Sequence, residues 1–412
     1  MIRTGRLHDL VLVGATGFVG RLTAQHLARY APPGTRIALA GRSAERLEAV
    51  RAELGGTASA WPTVVVDVTD DAAAASLAAS AKVVVSAVGP YLRYGLPLVR
   101  ACAEAGSDYA DLSGETLFVR RSIDAAHEEA AATGARIVHA CGFDSVPSDL
   151  GVGLCAQQAA AEGQGSLTET VLHVRSMRGG ISGGTVDSLR QQLLETAGDP
   201  AARALVGRAA ALADGPQTAG VRRPGRAAAV QRDARSGQWQ APFVMGVFNR
   251  QVVLRSHALA HSAYGPEFRY REVVDTGRGP AGAARATALA GATAALVGGM
   301  AFGPTRALLD RVLPSPGAGP SGTTMANGRF TIEVDALTTT GARYRTTVAA
   351  EKDPGYGATA VMLGESGLAL ALDDLPLRGG VLTPMVALDG ALVERLRSHG
   401  FTITTERLPA AG

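Results

Sequence analysis

The sequence predicts an α/β protein: an N-terminal doubly wound parallel sheet followed by a second, mixed α+β domain. Three observations lead there. The apolar run "DLVLV" meets a turn carrying Gly14, Gly17 and Gly20, and a helical pattern through Leu22, His26, Leu27 and Tyr30 follows. Strand-like and helix-like stretches then alternate as far as "RIVHA". Beyond about residue 160 that rhythm is lost. A chain of 412 residues exceeds one ordinary core. Two domains are therefore expected, over 1–150 and 151–353, with 354–412 packing back on the first.

Composition narrows the function classes. Hydrophobic residues make up 46% and charged residues 19%, which is globular rather than disordered. A formal charge of +3, with no basic stripe, gives no case for nucleic acid. Cys102, Cys141 and Cys155 lack pairwise spacing, which argues for a reducing compartment and against a disulfide frame or a zinc site. The N-terminal apolar run is short and broken by glycines, so a cytoplasmic protein is expected. Lys82 and Lys352 are the only lysines, and no tyrosine has a lysine four residues later. The Tyr-x-x-x-Lys pair of short-chain dehydrogenases is thus absent, and a Schiff-base lysine has few candidates.

The first element is a strand, a glycine turn and a helix. Glycine lets the backbone turn tightly and approach a pyrophosphate, and the helix N-terminus offers free N–H groups and partial positive charge. The spacing is G-x-x-G-x-x-G, a variant common among NADP-dependent reductases. The second strand, "RIALA", runs into Gly41, Arg42 and Ser43 with no carboxylate for ribose hydroxyls. Arg42 can pair with a 2′-phosphate and Ser43 can donate to it, which favours NADP(H) over NAD(H). "TVVVDV" is a third strand, with Asp67 suited to an adenine contact. "KVVVSAV" is a fourth, followed by Gly89 and Pro90 of "GPYLRYG", where the chain passes the nicotinamide side. "SDYADLSGE" is a fifth strand and loop, a helix runs through "AHEEAAATG", and "RIVHA" is a sixth strand. "CGFDSVPSDLG" then lies past the carboxyl end of that strand, where ligands of such sheets bind. Two readings of it stand side by side. Ser145 and Pro147 cap and open a helix, or Asp144, Ser145 and that helix start form part of an active-site lip.

Together, "GATGFVGR", "LAGRS", "VGPYLRYG", "DYADLSGE", "GFDSVPSDLG", "SGGT" and "DPGYGATAVMLGE" resemble the saccharopine dehydrogenase-like oxidoreductases. More narrowly, nearly the whole chain resembles their actinobacterial branch of trans-acting enoyl reductases. The resemblance implies an NADPH-dependent reductase that saturates an α,β-double bond of a carrier-bound lipid or polyketide intermediate. It implies pyrophosphate contacts at Gly14, Thr16, Gly17, Phe18, Val19 and Gly20. It further implies 2′-phosphate contacts at Arg42 and Ser43, an adenine contact at Asp67, and a nicotinamide side at Val88 and Gly89. It supplies no settled catalytic residue.

In the second domain "TETVLHVRSMRG" and "PFVMGVFNRQVVLRSHAL" read as strands, and "SGGTVDSLRQQLLE" as a helix capped by Ser182. Residues 198–240 suggest a surface helix and a mobile loop, and "LPSPGAGPSGTTMANG" a linker. "RFTIEVDALTTTGARYRTTVAAE" alternates about a turn and reads as an antiparallel hairpin. "GYGATAVMLGESGLALAL" is a final helix. The segment 286–304 is uncharged and near bilayer-spanning length, but rich in Ala and Gly. A buried or substrate-lining helix is expected there, with peripheral membrane contact and a true span as alternatives. His257 and His261 are four apart, but no third ligand is near and no metal is expected. No Ser-His-Asp or Cys-His set is recognisable.

Three functions remain open: enoyl reduction on a thioester-bound acyl or polyketide chain, with a polyketide synthase carrier as the expected partner; imine or carbonyl reduction resembling saccharopine formation; and a non-catalytic, membrane-associated NADP-binding scaffold. For the first, Tyr91 is the expected proton donor or enolate stabiliser and Ser145 a second donor. Asp144 is expected to be ionised and to orient the loop.

Overall fold

The computed structural model describes residues 5–179, 183–213, 230–309, 319 and 322–409. The first sheet contains β1 (His8–Val13), β2 (Ile37–Gly41), β3 (Thr63–Val65), β4 (Ala81–Ser86), β5 (Asp108–Asp111) and β6 (Arg136–Val138). A late strand, numbered β13 in chain order (Gly380–Leu382), completes it. The order is β13-β6-β5-β4-β1-β2-β3, and all pairs are parallel. β1 and β4 are apolar along most of their length because helices cover both faces of the sheet. The helix Thr359–Leu372 is one of these covers: it packs on β1, β4, β5 and the helix Phe18–Tyr30.

The second sheet has the order β14-β12-β11-β7-β10-β9-β8. Its strands are β7 (Leu167–Arg178), β8 (Gln231–Arg232), β9 (Gln238–Pro242), β10 (Arg269–Arg278), β11 (Arg329–Thr338), β12 (Arg343–Ala350) and β14 (Thr402–Leu408). β7 and β10 run parallel and the other pairs antiparallel. β11 and β12 form the hairpin, and buried residues alternate along each as a one-sided sheet requires. The covered face packs on the helix Val146–Ala161, which leaves the last strand of the first half. A side chain at Gly151 would put its Cβ 2.6 Å from Val334, so glycine permits this close approach.

Asp149 pins the junction. Its buried carboxylate accepts the Ser256 hydroxyl and the Met385 N–H, the latter at 2.8 Å, joining three helices. Burial, against those hydrogen bonds, pushes its carboxyl up to about 6. The native state therefore holds this proton more tightly than the unfolded chain. Its contribution is fully present below the ordinary value of 3.8 and is lost as pH rises through about 6. Asp149→Ala strands the Met385 N–H and should cost about 1–3 kcal/mol. A urea midpoint unchanged by this substitution would remove Asp149 from its pinning role.

Three expectations are corrected. Residues 354–412 do not all pack back on the first domain, because β14 pairs with β12 at the edge of the second sheet. "PFVMGVFNRQVVLRSHAL" is not a strand: its core is the helix Gly246–Leu259. That helix buries Asn249, Gln251, Arg255 and Ser256 as well as its apolar residues, so no apolar stripe betrays its period, and the Val252–Val253 pair mimics a strand. The uncharged segment is not a buried core helix. It lies in the helix Gly279–Ala301, and only Gly282, Ala286 and Met300 of that helix are buried. No described helix is long and apolar enough to cross a membrane. The helix Gly183–Ala197 stands where "SGGTVDSLRQQLLE" placed one, while its expected cap Ser182 lies outside the described residues. The same holds for 214–229 of the expected mobile loop and for half of the expected linker, whose remainder includes the short helix Gly322–Ala326.

Candidate active site at the carboxyl edge of the parallel sheet

The cradle is built from the end of β1. Gly14 adopts φ +83°, a left-handed conformation that favours glycine, and a Cβ there would lie 2.8 Å from Val88. A Cβ on Gly20 would collide with the Gly14 carbonyl oxygen, so the helix Phe18–Tyr30 can sit this close to the turn only without that side chain. Gly17 occupies the N-cap position, contributes no side-chain cap, and no acidic residue stands in the first turn. The leading N–H groups and the positive helix end are left for an anion.

A cavity of about 340 Å³ opens over this turn. Gly14, Thr16, Gly17, Phe18, Val19, Arg42, Asp67, Val88, Gly89 and Pro90 all line it. Gly20 and Ser43 do not. Gly20 lies beneath the turn, and the Ser43 oxygen accepts the Arg46 N–H at 3.3 Å as the cap of the helix Ala44–Leu54. Arg42 is exposed, and its guanidinium forms no ion pair with a described residue. Asp67 accepts the Thr69 N–H and hydroxyl at 3.0 and 2.7 Å; these bonds, and more weakly Arg42, hold its carboxyl below the usual range. An arginine at the end of β2 with no ion-pair partner among the described residues, a glycine cradle and an uncapped helix start are the donor set that NADP(H) needs, so the residues present fit this cofactor.

The wall residues that sequence reasoning missed include Tyr94, Asp187 and Tyr356. Tyr356 meets Phe18 edge-on with ring centroids 4.8 Å apart. Asp187 arrives on the helix Gly183–Ala197, which is tied to the cradle through Glu115. The Glu115 carboxylate accepts the Tyr91 and Leu92 N–H groups at 2.9 and 2.7 Å and the Ser188 hydroxyl at 2.6 Å. Burial pushes that carboxyl up despite these bonds.

Tyr91 does not line the cavity. It is buried; its hydroxyl donates to the Ser86 carbonyl at 3.0 Å and accepts the Leu112 N–H at 3.2 Å. Both functions of the oxygen are spent on β4 and the end of β5, and burial pushes the phenol well above its ordinary value. The expected proton donor is therefore a structural tie.

The rim beyond β5 and β6 carries the rest. Contrary to the sequence reading, a Ser-His-Asp set exists: Ser122 Oγ lies 2.7 Å from His139 Nε2, and His139 Nδ1 lies 2.7 Å from Asp111. All three are buried, so the set braces the chain entering the loop rather than meeting a substrate. Asp111 also accepts the Ala140 N–H at 3.3 Å, and Ala140 has φ 61°, uncommon for a residue with a Cβ. Ser145 stands at the N-cap of the helix Val146–Ala161 but makes no side-chain cap bond. Its hydroxyl donates to Asn249 at 2.9 Å, Asn249 donates to Glu272 at 3.0 Å, and Glu272 also accepts from Ser148 and Tyr270, each at 2.7 Å. Asp144 retains accessible surface while protein surrounds its carboxyl, which burial pushes up to about 6. The expectation of an ordinary, ionised Asp144 is corrected accordingly.

His257 and His261 are no metal pair: His257 ends a helix among Tyr264 and Phe268, and His261 follows in a turn at φ 53°. One other group, His26, Glu365 and His399, converges among the described residues. Both imidazoles bond one Glu365 oxygen, at 2.6 and 2.9 Å, and Arg395 holds the other oxygen at 2.9 Å, forming a closed clasp.

A β3-β2-β1-β4-β5-β6 order with a phosphate cradle at its carboxyl edge defines a Rossmann-type nucleotide-dependent oxidoreductase. The family described as "Saccharopine dehydrogenase NADP binding domain" matches residues 10–138. Proteins named trans-acting enoyl reductase are 46% identical in Mycobacterium bovis and 47% in Mycobacterium ulcerans, each over 98% of this chain and 99% of its own length. A Mycobacterium tuberculosis protein bearing that name provisionally is 48% identical over 99% of this chain and all of its own. The chain belongs to this family of trans-acting enoyl reductases with a saccharopine dehydrogenase-type NADP-binding domain. The fold extends further: homospermidine synthase from Legionella pneumophila, solved with NAD, superposes over 97% of this chain and 91% of its own with a TM-score of 0.51 at 9% identity.

Proposed function

We propose that the protein uses NADPH to saturate the α,β-double bond of a thioester-bound acyl or polyketide chain, presented by a carrier protein of a polyketide synthase that it serves in trans. The observation that carries this reading is the glycine cradle with Arg42, which no described residue pairs, in a chain alike over nearly its whole length to relatives bearing that name. Three buried free thiols fit a reducing, cytoplasmic setting.

When bound, the reduced nicotinamide supplies a hydride to the substrate β-carbon. Charge then builds on the thioester oxygen, and the α-carbon requires a proton. Asp144 is assigned as the source of that proton. It stands past β6, two strands along from the β4 end that carries the Val88–Pro90 wall. Its raised carboxyl makes it a competent acid near neutral pH. Ser145, whose hydrogen is committed to Asn249, holds the loop, and the N-terminal end of the helix Val146–Ala161 favours the developing oxyanion. A dicarboxylate amino-acid substrate finds less here: Arg175 is engaged by Asp275 and Glu333, and Arg190 by Asp187.

Arg42→Ala should weaken NADPH binding by about 1–3 kcal/mol and leave NADH binding nearly unchanged, as loss of a charge-assisted 2′-phosphate contact requires. Equal losses for both nucleotides would withdraw the assignment. NADPH oxidation by wild type with enoyl thioesters on coenzyme A and on carrier protein, against imines and ketones, tests the reaction class. Turnover of imines or ketones alone would replace enoyl reduction.

A further inference from the structure

We propose that the helix Gly279–Ala301 is a docking surface for an anionic phospholipid bilayer, on which it lies in the plane of the headgroups. This surface stands independently of the reaction assigned to the cleft.

Among the described residues its buried positions lie near its ends, and it also packs on the helix Gly183–Ala197. Gly282 packs against Trp239, Ala286 is buried, and Met300 is buried near the following helix Gly303–Leu309. Between Thr287 and Gly299 no residue is buried. Leu289 and Val297 are exposed, and just past the helix Phe302 is 62% exposed. A helix in water ordinarily turns charged side chains outward. This one has no ionisable residue from Ala286 to Thr305. A contiguous apolar surface of this kind marks an interaction site.

Charge selects the occupant. From Thr276 to Leu309 the chain has no Asp or Glu, while Arg278 and Arg285 stand at one end of the neutral run and Arg306 at the other. None of the three has an ion-pair partner among the described residues. An antiparallel second copy would set Arg306 against Arg278 and Arg285, and a parallel one would set each arginine against itself. An anionic bilayer meets cations at both ends with headgroups and the neutral middle with the acyl boundary. Phe302 supplies an aromatic anchor at that boundary. The predominance of Ala and Gly over large side chains fits shallow, reversible seating.

The test is sedimentation of the full-length protein with vesicles of phosphatidylcholine alone and of phosphatidylcholine mixed with phosphatidylglycerol. Wild type should pellet with the mixed vesicles, far less with the neutral ones, and be released by high salt. Leu289→Asp with Val297→Asp, and separately Arg285→Glu with Arg306→Glu, should each lower binding by about tenfold or more. Unchanged NADPH affinity would show that each variant is folded. Failure of wild type to pellet with either vesicle, or full binding by both folded variants, would overturn the proposal. So would self-association of wild type that Leu289→Asp abolishes, since it would give the face to a second copy.

Discussion

Asp144→Asn is expected to lower enoyl turnover at saturating NADPH by about 10²–10⁴-fold, the range for loss of a positioned general acid. Asn keeps the size and polarity of the side chain and removes only its transferable proton. NADPH affinity should be unchanged, because Asp144 is not on the wall that holds the nucleotide. The pH profile separates this role from a structural one. With the carboxyl pushed up to about 6, wild-type kcat should fall as pH rises through that value, since the protonated acid is consumed. The variant should lack that limb. An Asp144 that merely orients the loop would leave an Asn variant with nearly full rate and an unaltered profile. The same raised carboxyl makes the native state bind its proton more tightly than the unfolded chain. Its stability contribution is therefore present at low pH and lost as pH rises through about 6.

Gly20→Val should weaken nucleotide binding by about tenfold or more. Even a single Cβ at this position collides with the Gly14 carbonyl oxygen, a backbone atom held by the Gly17 N–H at 3.0 Å. The collision can be relieved only by moving the helix Phe18–Tyr30 off the turn, which pulls its leading N–H groups away from the phosphate position. Overpacking of this kind costs about 1–3 kcal/mol of folding stability. A similar loss in the cradle weakens NADPH by about tenfold or more. Calorimetric titration with NADPH, beside a urea melt, reads both. Wild-type affinity in Gly20→Val would mean that the nucleotide does not use this turn.

The first half of the fold was legible because its elements obey local rules. Valine-rich strands, glycines at fixed offsets and an end to β2 without a carboxylate carry their meaning in a few adjacent residues. The active site was less so, because its parts come from distant segments. Nothing local in Asp187 or Tyr356 announces that they reach the cavity wall, nor in Asn249 or Glu272 that they hold Ser145. Tyr91 misled because sequence adjacency to Pro90 says nothing about direction: Gly89 and Pro90 line the cavity while the Tyr91 phenol turns to the Ser86 carbonyl. Asp144 misled in the opposite sense, since its acidity depends on burial that no spacing encodes. The Ser122–His139–Asp111 set was hidden because the serine comes from a preceding helix. Periodicity also failed where it carries least information. The helix Gly246–Leu259 is buried on several sides, and the helix Gly279–Ala301 is uncharged yet exposed.

The central claim, that this cleft reduces an enoyl thioester, is tested most directly by following the label from NADPH deuterated at C4 of the nicotinamide, on the transferred face, into an enoyl thioester substrate. The account predicts a saturated product carrying deuterium on the β-carbon and a hydrogen from water on the α-carbon. Deuterium on a carbonyl or amine-bearing carbon of another substrate, with no label entering any enoyl thioester, would contradict it.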